Sequence, residues 1–158
     1  MELHYTQSYP ASADRVAELM RDEDFLADVA QHGGATRHRV TIDGNTTRLE
    51  MTLPAPSDVA KVIGASIDLV QTMTWGQPDA TGVRRATFDV SVPRMPVTVK
   101  ATGELRPQGD SAATATFDGD LKVNIPLVGK KVERQVEPFI SQAFAGLERR
   151  AAAWLARG

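Results

Sequence analysis

The chain has 158 residues, the size of one ordinary domain that can bury a core without staples. Its composition, 42% hydrophobic and 24% charged with no cysteine, is that of a globular protein and excludes disulfides, thiol nucleophiles and cysteine-ligated metals. A formal charge of −2, with basic residues in scattered pairs such as Arg84-Arg85, Lys130-Lys131 and Arg149-Arg150, argues against a nucleic-acid-binding face.

Residues 2–9 alternate, with Leu3, Tyr5, Gln7 and Tyr9 on one side, and predict a strand with one covered face. Pro10 ends it. Ser12 reads as the N-cap of a short helix that carries Val16, Leu19 and Met20 on one face, and a second short helix follows around 23–31, stopped by Gly33-Gly34. The opening residues carry no basic segment followed by an apolar run, and no apolar stretch nears the ~20 residues that span a bilayer. A cytoplasmic chain with no stable membrane insertion is therefore expected.

From residue 35 the period changes to two. Runs at 35–43 and 46–53 are joined by Asp43-Gly44, a strong short hairpin signal. Pro54 and Pro56 break the pattern, and 54–65 reads as a loop with one or two helical turns, capped by Ser57 and ended by Gly64. Alternating strands are expected at 67–75, 83–92, 97–106 and 112–125, separated by proline- and glycine-rich turns. Successive hairpins make an antiparallel meander with one polar face. The last segment, 128–157, reads as a helix with one broad apolar stripe that includes Val132, Val136, Phe139, Ile140, Ala143, Phe144, Leu147 and Ala151. Pro138 lies inside it, so a kink or a helix start close to Val136 is expected.

One strand, two short helices, six strands and a long helix give an α+β chain, read as one domain over 1–158: a curved seven-stranded antiparallel sheet whose concave face the long C-terminal helix covers. This order resembles the START and birch-pollen-allergen-like superfamily, the helix-grip fold. The run Tyr9-Pro10-Ala11-Ser12-Ala13-Asp14-Arg15-Val16 is similar to that superfamily's passage from first strand to first helix. The stretch from Val123 to Glu133, followed by Trp154-Leu155, is similar to a group of uncharacterised actinobacterial members. The resemblance implies a space between sheet and helix that holds a lipid, sterol, polyketide or other apolar molecule. Small residues at inward positions (Ala86, Ala101, Gly103, Ala113, Ala115 and Gly119) leave room for such a space unless the helix packs close and fills it.

The expected walls are Tyr5, Val40, Met51, Leu69, Met73, Phe88, Val90, Val99, Phe117, Leu121, Phe139, Ala143 and Phe144, with Gln71 and His38 supplying polarity. An inward His38 binds a ligand polar group, acts as acid or base, or is simply hydrogen-bonded in the core, which is the ordinary outcome. Gln71, on the apolar side of its strand, needs a partner, either a neighbouring side chain or a ligand. The histidines His4, His32 and His38 lack zinc-site spacing, and no hydrolase elbow, phosphate loop or dinucleotide motif is present, so no metal, cofactor or catalytic residue is assigned. The leading expectation is a binder or carrier of an apolar small molecule. The alternatives are a polyketide cyclase- or dehydratase-like enzyme, for which His38 with Tyr5 is the one visible acid–base pair, and a protein-interaction module. The oligomeric state is left open.

Overall fold

A computed structural model describes residues 1–157, apart from the side chains of residues 59, 62 and 63. Strand β1 (Glu2–Tyr9) leads into helices α1 (Ala13–Leu19) and α2 (Glu23–His32). Strands β2 (Arg37–Asp43) and β3 (Thr46–Pro54), helix α3 (Ser57–Ile63) and strands β4 (Ser66–Trp75), β5 (Arg84–Ser91), β6 (Val97–Pro107) and β7 (Ala113–Val123) follow, and helix α4 (Gly129–Leu155) closes the chain. The strands form one seven-stranded antiparallel sheet in the order β1-β7-β6-β5-β4-β3-β2. With two short helices after the first strand and a long helix across the sheet, this is the helix-grip architecture that the element order predicts.

Local chemistry accounts for the element boundaries. Ser12 Oγ accepts from the Arg15 N–H and an Asp22 carboxylate oxygen from the Phe25 N–H, so the first two helices start on side-chain caps. Gly44 turns the β2–β3 hairpin at a φ of 58°, which a side chain would resist. Ser57 is the first residue of α3 rather than its cap, a position held by Pro56, while Gly64 ends the helix at a φ of 98°. Helix α4 runs unbroken from Gly129 through Pro138, so the expected start near Val136 does not occur. Proline has no N–H to offer the Arg134 carbonyl, and packing of the surrounding apolar residues outweighs that lost bond.

Two buried clusters hold the fold. The larger joins Tyr9, Val16, Leu19, Met20, Phe25, Trp75, Leu105 and Phe117 beneath α1, α2 and the C-terminal half of α4. The smaller joins Leu3, Val99, Leu121, Val123 and Val132 under the start of α4. Three bonds fasten α4 to the free edge of β1. The Tyr5 hydroxyl donates to Glu137 at 3.1 Å, the Gln7 amide to the Phe144 carbonyl at 2.8 Å, and the Ser8 N–H to Glu148 at 2.6 Å. The last of these gives a partner to an edge-strand N–H that would otherwise invite another chain.

Candidate functional site

The inner face of the sheet reads in rows across the strands. One row is Val40, Leu49, Gln71, Val90, Val99 and Leu121, and the next toward the rim is His38, Met51 and Leu69. On the other side lie Thr47, Met73, Phe88 and Ala101, then Trp75, Ala86, Gly103, Phe117 and Tyr5. Every strand residue expected to face inward therefore lies on one face.

That face divides into a filled half and a partly covered half. Met73, Phe88, Val99, Phe117, Leu121 and Phe144 are buried. The Phe144 ring stacks on Tyr5 at 4.6 Å and meets Phe117 at 5.1 Å and Phe88 at 5.6 Å, so four aromatics fill the space under the middle of α4. The small inward residues leave no chamber there. The Phe117 ring occupies the space where a Cβ on Gly103 would lie, within 2.8 Å of it. Deeper in, a gap bounded by Tyr9, Val16, Met20, Trp75, Leu105 and Leu147 has no room for a water molecule.

Toward the other edge the face is only partly covered among the described residues: Leu49, between Val40 and Gln71, is 2% exposed, and Val40 and Val90 pack against the larger cluster. Val40, Met51, Leu69, Gln71 and Val90 are half-buried, and His38 is exposed at the rim. Phe139 is 46% exposed and Ala143 is also exposed, although both belong to the apolar stripe read from sequence. The buried residues of α4 are Val132, Phe144 and Ala151, with Val136, Ile140 and Leu147 packed against the clusters. Phe139 lies at the edge of this stripe, about 20° from Val132, and is exposed because it stands beyond Leu3, Val99, Leu121 and Val123, which cover Val132. At about 100° per residue, Phe139 lies nearly opposite Glu137, the residue tied to β1. Phe139, Ala143 and Arg150 fall within about 40° of one another on this count. Arg150 Nε–H donates to Asp28 of α2 at 2.8 Å, and α2 packs on β2. The C-terminal end of this flank is thus tied to α2. The inner face of β2–β4 is bordered by α4, by α2, which packs on β2, and by α3, which lies against both β4 and α4.

The polar residues sort cleanly. The polar groups of Tyr5 and Gln7 are bonded within the fold. Burial first, and then the neighbouring Glu137 carboxylate, push Tyr5 ionisation up, so it remains a neutral donor. The Gln7 amide oxygen accepts from the Tyr9 hydroxyl while its nitrogen holds the Phe144 carbonyl. The expected pairing of His38 with Tyr5 is not formed, because β2 and β1 are opposite edges of the sheet and the Tyr5 hydroxyl is committed to Glu137. Gln71 remains. Its side chain has no hydrogen-bond partner among the described residues, and on the inner face Leu49, Val90, Leu69 and Met73 surround it. Asp118, Asp120 and Lys122 lie on the outer face, with Asp118 bonded to His4.

Sequence reading missed the clamp at the α2 end of this face. Asp28 accepts from both Arg150 and Trp154, at 2.8 and 3.0 Å. Burial alone would raise its carboxyl, but these bonds and the Arg150 charge hold it below the usual carboxylate range. The i, i+4 spacing of Arg150 and Trp154 on α4 was visible, but nothing local points to residue 28. A hollow of about 320 Å³ lies at the β2–β4 end, lined by Arg37, Arg39 and Asp68 together with His38, Met51 and Leu69 of the rim row.

A family model described as "Protein of unknown function (DUF2505)" matches residues 4–155. No curated protein matches the sequence. Among solved structures, a protein from Thermus thermophilus is 19% identical, with 97% of this chain and 98% of that one covered at a TM-score of 0.65. An aromatase/cyclase from Streptomyces sp. R1128 is 12% identical over 99% and 94% of the two chains, also at 0.65. A START superfamily protein from Mycobacterium smegmatis is 15% identical over 98% of each chain at 0.58. At these identities the likeness shows the helix-grip fold alone.

Proposed function

The chain belongs to the family described as protein of unknown function, DUF2505, and from that premise we propose that it binds an apolar small molecule in the groove between α4 and the inner face of β2–β4. The observation that supports this reading is the run of partly exposed apolar side chains that the described residues leave on the inner face of β2–β4 and on one flank of α4. Val40, Met51, Leu69 and Val90 on the sheet stand half-buried, and Phe139 and Ala143 on the helix are exposed. Apolar surface of this kind is energetically unfavourable in water, at about 25 cal/mol for each Å² exposed, and an apolar occupant removes that cost. The helix cannot close the gap itself, since its bonds to Tyr5, Gln7 and Ser8 hold it against the β1 edge. The Streptomyces aromatase/cyclase has the same fold, which lends support to an organic ligand between sheet and helix.

The test is titration with Nile red, a neutral dye that brightens in apolar surroundings, against the wild type and Ala143→Trp. The indole would fill the groove from an exposed helix position, so the urea midpoint should not move. Saturable one-to-one binding by the wild type and its loss in the variant is the expected outcome. An absence of saturable binding, or undiminished binding by Ala143→Trp, would overturn the proposal.

A further inference from the structure

We infer that the occupant of this groove is an uncharged molecule carrying a carbonyl or hydroxyl group, and that the Gln71 amide holds that group at the centre of the floor. The inference rests on the groove being a binding site and adds the chemistry of what it takes. Gln71 is in the middle of β4, with Leu49 and Val90 beside it on the neighbouring strands and Leu69 and Met73 above and below it on its own. All four neighbours are apolar, so none can satisfy an amide. The amide is half-buried, has no side-chain partner among the described residues and is not among the buried unpartnered polar atoms, so it is left open to a partner from outside the chain. A ligand group that bonds it gains a hydrogen bond in otherwise apolar surroundings. Glutamine offers both a donor and an acceptor, and both suit a neutral carbonyl or hydroxyl.

Charge excludes the alternative of an anionic head group at this point. The inner positions of β2 are His38, Val40 and Ile42; those of β3 are Thr47, Leu49, Met51 and Leu53; and those of β4 are Ile67, Leu69, Gln71, Met73 and Trp75. The only ionisable group among them is His38, which is two positions from Val40 on the edge strand and exposed at the rim. Arg37 and Arg39 alternate with it and belong to the outer face. Asp28 and Arg150, at the α2 end, neutralise each other. Among the described residues, a carboxylate placed at Gln71 would thus meet no cation on the inner face.

Three probes of nearly equal shape separate the possibilities: acetylnaphthalene, isopropylnaphthalene and naphthoate, which are a ketone, a hydrocarbon and a carboxylate. Their affinities are measured by displacement of Nile red from the wild type and from Gln71→Leu at pH 7. The wild type should prefer the ketone to both others, and Gln71→Leu should weaken the ketone about five- to ten-fold while leaving the hydrocarbon within about two-fold. The variant should unfold at an equal or higher urea concentration, since it removes an unpartnered amide, and this shows that the lost affinity is not lost folding. Equal binding of ketone and hydrocarbon by the wild type, an unchanged ketone affinity in Gln71→Leu, or tightest binding of naphthoate would each overturn the assignment while leaving the groove a binding site. Failure of Nile red itself to bind would remove the groove, and the assignment with it.

Discussion

Replacement of Asp28 tests whether the α2–α4 clamp holds the end of the groove shut. The carboxylate accepts two hydrogen bonds from α4, with Arg150 at 2.8 Å and Trp154 at 3.0 Å, and its side chain is 19% exposed against 25% for Arg150. A fully exposed pair contributes about 0–1 kcal/mol, and breaking a fully buried one costs about 3–5. For a pair between those limits, Asp28→Ala should cost about 2 kcal/mol and lower the thermal midpoint by about 4–8 °C at this chain length. Asp28→Asn keeps the shape and one acceptor and should cost about half as much. The sign of the pH dependence follows from the depressed carboxyl. A group whose ionisation range is lower in the folded state contributes fully above its unfolded range, near pH 4, and loses that contribution as pH falls through its folded range. Urea unfolding at pH 7 and at stepwise lower pH should show the gap between wild type and Asp28→Asn shrinking on acidification. An Asp28→Ala protein within about 0.5 kcal/mol of wild type, or a gap that widens in acid, would refute the reasoning.

Gly119→Ala should destabilise the protein by about 1–3 kcal/mol in urea titration, because its new Cβ would lie 2.6 Å from the Ala101 Cβ and closer still to the Lys100 carbonyl. Gln7→Leu should cost about 2–4 kcal/mol, since it strips partners from the buried Tyr9 hydroxyl and from a bond that positions α4, and the loss should appear as a lower urea midpoint. Phe139→Ser should change stability by less than about 1 kcal/mol, because the ring is 46% exposed, yet weaken Nile red binding several-fold.

The strands were readable from local chemistry. Asp43-Gly44 gave the β2–β3 register that pairs Val40 with Leu49, and Ser12 and the acidic run from Asp22 marked the helix starts. Two-residue alternation placed Val40, Met51, Gln71, Phe88 and Leu121 on the same face without reference to one another. Alternation says nothing of what covers a face. The apolar stripe of α4 spans nearly half the helix surface, so its period does not reveal which edge turns down. That choice is made by Tyr5, Gln7 and Ser8 meeting Glu137, Phe144 and Glu148, contacts more than a hundred residues apart in the chain. Phe139 and Ala143 read as part of a buried stripe and stand exposed because a helical period does not say what lies across from each turn, and small residues such as Gly103 read as space that Phe117 occupies.

A groove that serves as a ligand site is occupied when the protein is at work. Native mass spectrometry of the protein purified from its own source, followed by organic extraction and identification of what is released, would show the occupant. The expected result is a one-to-one adduct, apolar and uncharged, bearing a carbonyl or hydroxyl group. A protein that is empty on isolation and takes up neither Nile red nor acetylnaphthalene would contradict the proposed function.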